Sequence, residues 1–415
     1  MKALKRGVTL KRRLDFTLDC ASADITECSS VDVKGGALCA LPSLTRLSTR
    51  SAFQGVFGRI GGSLYLHSNN KVYRYDGALQ ELAAVNDGIG KPCSVTYRGK
   101  IITSIKSSGT YLIQGSSFTR LTDDVYDDLT VAGERVFALS GNTVFFSEVG
   151  EHNVGGECQY VELPAPCNAL TTLNGSAYAL GNECYRISPS ADYSSFQVSA
   201  VAAGVGEVQR DSVAVLGDRA VFAATSGLFC LSSGGKIKRI FTKIRGNLDF
   251  NGCFASVLRG GYLLSLPQTV NRPTLLLDID GERCVSVFGV NIGQTDVYLD
   301  KLYAVYVGGL FKGETDATEY NDEMRYKVSD VDFHVGAVKY LRYMLIKTNN
   351  PADVYLSNET ETRLIRVNGK NRVQRMPLFG SGRKFSVYVK STGNTKIECL
   401  ELVAEAFKEN NYGDK

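Results

Sequence analysis

The chain has 415 residues, 44% hydrophobic and 22% charged, proportions that bury a core and exclude wholesale disorder. A formal net charge of +4 excludes a globally basic nucleic-acid binder. With 42 Gly, 21 Tyr, 19 Phe, no Trp and no long Ala/Glu/Leu/Lys-rich stretch, the composition predicts many short strands joined by tight turns.

The first segment carries Lys2, Lys5, Arg6, Lys11, Arg12 and Arg13 before the first acid, Asp15. It contains no apolar run of about seven residues, so no secretory signal is read in it. No uncharged apolar stretch of about 18 residues occurs anywhere, so stable membrane insertion is not expected. Residues 1–34 read as a basic N-terminal arm that contacts DNA or an acidic partner through a field that salt weakens. A solvated tail is the plainer reading of the same charges.

From residue 35 onward one unit recurs: a strand ending at a turn, an alternating strand, a Gly/Asn turn, a third strand and usually a fourth. The turns fall at Gly61, Gly99, Gly133, Gly175, Gly217, Gly260 and Asp300, separated by 34 (99 to 133) to 43 (217 to 260) residues. After them come SLYLHSNNKVYRY, IITSIKSSGTYLI, RVFALSGNTVFFS, SAYALGNECYRIS, RAVFAATSGLFCL, YLLSLPQTVNRPTLLLDID and KLYAVYVGGLFKG, each an alternating strand paired with a second strand across a turn. Fourth strands are ELAAV, FTRLT, YVELP, FQVSA, KRIFT and CVSVF. Four antiparallel strands in about 40–45 residues mark a β-propeller blade. The seventh unit stops at GLFKGE, and SLTRLS at Ser43–Ser48, which echoes FTRLT, is predicted to complete it and remove two exposed sheet edges. The expected fold is all-β: a seven-bladed β-propeller over 35–314, with six blades as the alternative.

Residues 315–322 read as an acidic linker. Residues 323–408 hold seven strand-like runs, from MRYKVSDVDFHV to KIECLELVAEAF, with turn signals at Asn349-Asn350-Pro351, Asn368-Gly369, Gly380-Ser381-Gly382 and Gly393-Asn394. That pattern predicts a β-sandwich or jelly roll, followed by a flexible tail at 409–415. A second basic segment lies here: Arg363, Arg366, Lys370, Arg372, Arg375, Arg383 and Lys384. It is a candidate contact for DNA or an acidic partner, against the plainer reading of a solvated strand face.

No catalytic or metal constellation is visible. His67, His152 and His334 stand apart from one another and from Cys, without ligand spacing. Asp123, Asp124, Asp127 and Asp128 have oxygens enough for a hard cation but not the spacing of a calcium loop, and read as a solvated connection. Asp278, Asp280 and Glu282 read as a hairpin turn, and GIGK at Gly88 to Lys91 lacks the rest of a phosphate loop. Eleven cysteines form no CxxC pair; several, such as Cys184 and Cys230, sit in apolar strands and read as reduced core thiols of a protein folded in a cytosol.

The stretch NRVQRMPLFGSGRKFSVYVKSTGNTKIECLELVAE, Asn371 to Glu405, resembles the propeller-bearing neck and tail proteins of tailed bacteriophages, the packaged-DNA stabilisation and tail-nozzle class. Arg372 and Arg375 match that pattern's Arg-rich strand, Gly380, Gly382, Arg383 and Phe385 its turn and next strand, Ile397 and Leu400 its last strand. The resemblance implies a non-enzymatic structural role without cofactor: a homo-oligomeric ring in the virion, assembled in the host cytoplasm, docked to portal, adaptor or tail proteins and in non-specific contact with packaged DNA. The alternatives are a receptor- or glycan-binding propeller with Tyr-rich platforms and, third, a propeller glycosidase or lyase with converging carboxylates.

Overall fold

A computed structural model describes residues 8–20, 22–48, 53–86, 88–154, 159–189, 195–244, 248–299, 301–306, 309–313 and 320–406. Among these the chain is β-strand and loop apart from two short 3-10 turns, Ala23–Glu27 and Arg210–Ser212. It divides into a repeat unit, Leu44–Glu282 with Asn291–Thr315, and a terminal unit built from Met1–Ser43, Arg283–Val290 and Asp316–Lys415.

The repeat unit is propeller-like. Among the described residues it holds six four-stranded antiparallel sheets in sequence order. The first, for example, runs Phe53–Ile60, Ser63–Ser68, Lys71–Tyr75, Leu79–Ala84, and the fourth runs Ala169–Leu173, Ser176–Leu180, Glu183–Pro189, Phe196–Ala203. Local chemistry sets the hairpins. Leu173 pairs with Ser176 across Asn174 (φ 46°) and Gly175 (φ 74°), and Tyr97 with Lys100 across Arg98 (φ 46°) and Gly99 (φ 70°). Two left-handed residues in a two-residue loop give the turn whose twist matches paired strands.

Second strands are buried on both faces, Ser63–Ser68 and Ser176–Leu180 throughout, whereas fourth strands such as Ser117–Thr122 are largely exposed. Simple alternation therefore misses the second strands, which lie between two neighbouring sheets. Each apolar cluster draws on two successive repeats: Phe57, Tyr65 and Val72 pack with Ile101 and Ile113, while Phe137, Val144 and Phe146 pack with Leu170 and Tyr185. A further cluster joins Phe53, Leu64 and Tyr73 of the first repeat to Val305 and Leu310 of the last. The last sheet, Thr295–Tyr298, Lys301–Tyr306 and Gly309–Gly313, receives Thr45–Ser48 as its fourth strand, with Phe311 opposite Arg46.

The terminal unit departs from the expected boundaries. Val31–Lys34 and Ala37–Ala40 form a hairpin whose outer partners are Arg283–Phe288 and Lys396–Ala406. The repeat unit therefore begins at Leu44 rather than 35, and CVSVF is grouped here rather than with the sixth repeat. The basic segment is not a free arm along its described length: Val8–Arg13 pairs with Lys396–Ala406, Val8 opposite Ala406 and Arg13 opposite Glu401. The cause follows in the chain, where Leu14, Phe16, Leu18 and Cys20 are buried alternately with exposed residues and anchor the segment. Lys396–Ala406 continues through Lys339–Thr348 to Val373–Pro377. A second sheet runs Met324–Val331, Phe385–Ser391, Ala352–Ser357, Thr362–Val367. The expected tail at 409–415 and most of the expected linker lie outside the described residues; Asn321 and Asp322 donate backbone N–H to Ser43 Oγ at 2.8 and 3.1 Å.

Candidate functional site

Connections that precede the first strands of successive repeats converge on a cleft of about 580 Å³ lined by Lys91, Tyr126, Asp127, Asn168, Arg210 and Gly252, among others. Arg210 organises it. Its Nη1 donates to Asp127 O at 3.0 Å, Nη2 to Pro92 O at 3.2 Å, and Nε and Nη2 to Asp211 Oδ1 at 3.1 and 2.9 Å. One side chain of the fifth repeat thus holds the entries to the second and third. Asp128 accepts from Leu129 N at 2.9 Å and from Leu170 N at 2.6 Å. Burial pushes its carboxyl up to about 7 against those N–H groups and the Arg210 guanidinium. Burial likewise pushes the Cys253 thiol in the cleft wall up to about 12, so it stays protonated and unreactive at neutral pH. Arg210, Asp127 and Asp128 are turned on backbone groups, an arrangement that locks loops together.

The other acids have similar partners. Asp123 pairs with Arg120 at 2.6 Å, Asp124 accepts from Thr122 Oγ1 at 2.9 Å, and Asp127 Oδ2 accepts from Gly141 N at 2.9 Å. These carboxylates diverge, and among the described residues no group of three or more His, Cys, Asp or Glu is placed to hold a metal ion. In the Asp278–Glu282 turn, Asp280 pairs with Arg219 at 2.7 Å and Glu282 Oε2 accepts Phe241 N–H at 3.0 Å, tying the sixth repeat to the fifth. His67 is 2% exposed, beside the Phe57 ring at 5.0 Å and the Gln294 side chain. Burial pushes it down to about 4. His152 lies against the Tyr97 ring and His334 takes Arg12 Nη1 at 2.9 Å. Tyr65 and Tyr73 are buried, so neither offers an open glycan platform.

Sequence spacing gave no sign of the seam between the first and last repeats. Arg59 Nε meets Asp296 Oδ2 at 2.6 Å, Nη1 reaches Gly62 O at 2.7 Å, and the guanidinium lies 4.4 Å from the Tyr298 ring centre and 4.6 Å from that of Tyr303. Beside it Gln294 Oε1 accepts Val56 N–H at 2.8 Å. No motif marks these residues because their partners lie more than 230 positions away.

Of the first basic segment, Lys2, Lys5 and Arg6 lie outside the described residues. Lys11 and Arg13 are exposed while Arg12 is half-buried, as strand alternation requires, so the three do not form one patch. The second segment falls on two strands, the link between them and a later turn. Thr362–Val367 and Val373–Pro377 end their respective sheets and are joined by only Asn368 to Arg372. That link is pinned: a Cβ on Gly369 would lie 2.4 Å from Asn350 Cα, and Gln374 Nε2 donates to Asn368 O at 2.5 Å. Arg363 pairs with Glu361 at 2.9 Å and Lys384 with Asp330 at 3.1 Å. Arg366, Lys370, Arg372, Arg375 and Arg383 are exposed and have no carboxylate partner among the described residues; Arg375 stacks 3.8 Å from the Tyr343 ring centre.

No protein-family profile and no curated protein matches the chain. Among solved structures, the extracellular domain of the putative one-component system BT4673 from B. thetaiotaomicron aligns over 81% of this chain and 48% of its own at 11% identity and TM-score 0.47. The chain spans about half the length of that domain. BamB from Moraxella catarrhalis aligns over 75% of this chain and 97% of its own, at 11% identity and TM-score 0.41. U3-55K aligns over 64% and 90%, at 12% identity and TM-score 0.46. None of these is a phage neck or tail protein. No helix among the described residues is long and apolar enough to cross a membrane.

Proposed function

We propose that this chain is a non-enzymatic structural component of a tailed-phage virion neck or tail, in a nozzle or DNA-channel stabilising ring, acting by docking to portal, adaptor or tail proteins. In this reading the repeat unit is a closed seven-bladed propeller and the terminal unit contains a β-sandwich. Closure is supported by the first-to-last ties of Arg59 with Asp296 and Val56 with Gln294, and by Arg210 reaching repeats two and three steps away. An open stack, in which each repeat meets only its neighbours, brings none of these pairs together.

The observation that carries the docking role is the placement of charge. Ion pairs such as Arg98 with Glu134 and Arg219 with Asp280 hold one repeat to the next, whereas Arg366, Lys370, Arg372, Arg375 and Arg383 of the terminal unit have no carboxylate partner among the described residues. A rigid scaffold with an uncommitted charged edge suits assembly rather than turnover. The virion setting comes from the resemblance of Asn371 to Glu405. The test is to mix the purified chain with purified portal, adaptor and tail rings and follow mass by light scattering and placement by electron microscopy. Stoichiometric incorporation is expected; a chain that joins none of the rings overturns the reading, and saturable binding on a glycan array in its place points to receptor recognition.

A further inference from the structure

Among the described residues Val373–Pro377 is the last strand of its sheet, paired on one side with Lys339–Thr348 in unbroken register from Lys347 opposite Val373 to Tyr343 opposite Pro377. Just beyond it, Leu378 N–H donates to Arg342 O at 2.9 Å. Period two then turns Leu378, Met376 and Gln374 toward the sheet, and the backbone N–H and C=O groups of Val373 and Arg375 away from it. Pro377, which has no N–H, falls at an outward position, the place an edge strand tolerates it. An edge of this kind is a template for another strand unless something blunts it.

What surrounds the edge selects the occupant. Val373 is 55% exposed, with Leu364 and Phe379 also exposed. Lys370, Arg372 and Arg375, in and just before this strand, are exposed cations with no carboxylate partner among the described residues. The pinned Asn368 to Arg372 link holds Lys370 and Arg372 in place before any partner arrives, which lowers the ordering cost of binding.

We infer that Val373–Pro377 accepts an extended acidic segment of a partner protein as an added antiparallel β-strand. The partner's backbone bonds the outward groups of Val373 and Arg375, and its carboxylates meet Lys370, Arg372 and Arg375. Main-chain bonds supply affinity and alternate side chains supply selectivity, while the charge speeds encounter and makes binding salt-sensitive. The inference rests on the docking reading but not on the virion setting.

The probe is a fluorescent synthetic peptide alternating Glu with Thr and Val, titrated by anisotropy into the full-length chain. Saturable binding is expected, weakening with added salt, and about tenfold weaker for the double variant Arg372→Glu/Arg375→Glu. Val373→Pro, which removes an outward N–H, should weaken binding comparably without moving the unfolding midpoint. In the unmodified protein, amide exchange over residues 373–377 should slow when peptide is added, a readout that needs no variant. Equal binding of the same peptide with Lys in place of Glu overturns the inference, as does unchanged amide exchange. Binding of a single-stranded oligothymidylate without binding of the acidic peptide also overturns it and assigns the edge to polynucleotide. A chain that binds peptide but joins no phage ring removes the virion setting and leaves this inference standing; ring assembly without peptide binding does the reverse.

Discussion

Two sets of arginines, one in each unit, are used in different ways. In the repeat unit Arg59, Arg210 and Arg219 each find an acid, backbone carbonyls or aromatic faces in another repeat. In the terminal unit Arg366, Arg372 and Arg383 stand at strand edges and in a turn with no such partner among the described residues. A buried guanidinium forced to share its donors fixes geometry, while an exposed one remains available to something outside the chain. The contrast separates holding from reaching, and it can be broken at graded cost.

The largest effect is expected from Arg59→Ala, which leaves Asp296 without its partner in a site where the two side chains are 9% and 20% exposed. It should lower stability by about 3–5 kcal/mol in denaturant titrations, and Arg59→Lys should restore only part, since an ammonium lacks the fork and the flat face that Tyr298 and Tyr303 meet. Next comes acid. His67 titrates near 6.5 when unfolded but is held down to about 4 by burial, so the unfolded chain binds its proton first. Its contribution is intact above pH 6.5 and is lost as pH falls through about 4, a change of about 3 kcal/mol that His67→Gln should remove from the pH profile of unfolding. Gly55→Ala should cost about 2 kcal/mol, because its Cβ would fall 2.0 Å from Gln294 Oε1 and 2.4 Å from His67 Nε2, displacing a group that already bonds Val56. The smallest effect sharpens the comparison: Arg372→Ala and Arg366→Ala should change stability by less than about 0.5 kcal/mol while altering partner binding. A loss as large as that of Arg59→Ala would mean that these cations are structural after all.

Much of this was legible in the chain. Lys339–Thr348, Ala352–Ser357 and Thr362–Val367 coincide with their sequence runs, because each alternates over several residues between turn signals that Gly and Asn supply. The partner of Gly309–Gly313 was legible too, since SLTRLS shares its pattern with a strand already seen in the second repeat. What escaped were pairings set by distant residues. Val31–Lys34 reads the same whether its neighbour is Arg283–Phe288 or a strand of the first repeat, and period two cannot choose. Lys11, Arg12 and Arg13 look like one cluster on paper, yet strand geometry sends alternate members to opposite faces. Arg59 and Arg210 carried no signal, because both act through partners that only the completed fold brings near.

The sheet that joins Thr45–Ser48 to Gly309–Gly313 also orders events in time. A ribosome delivers the first of these strands early and must synthesise every intervening repeat before the second emerges. Until then the early strand lacks its mate, and a chain truncated before Gly309 leaves Thr45–Ser48 without the strand it pairs with. Completion of this one sheet is therefore a late, long-range step that waits on Gly309–Gly313.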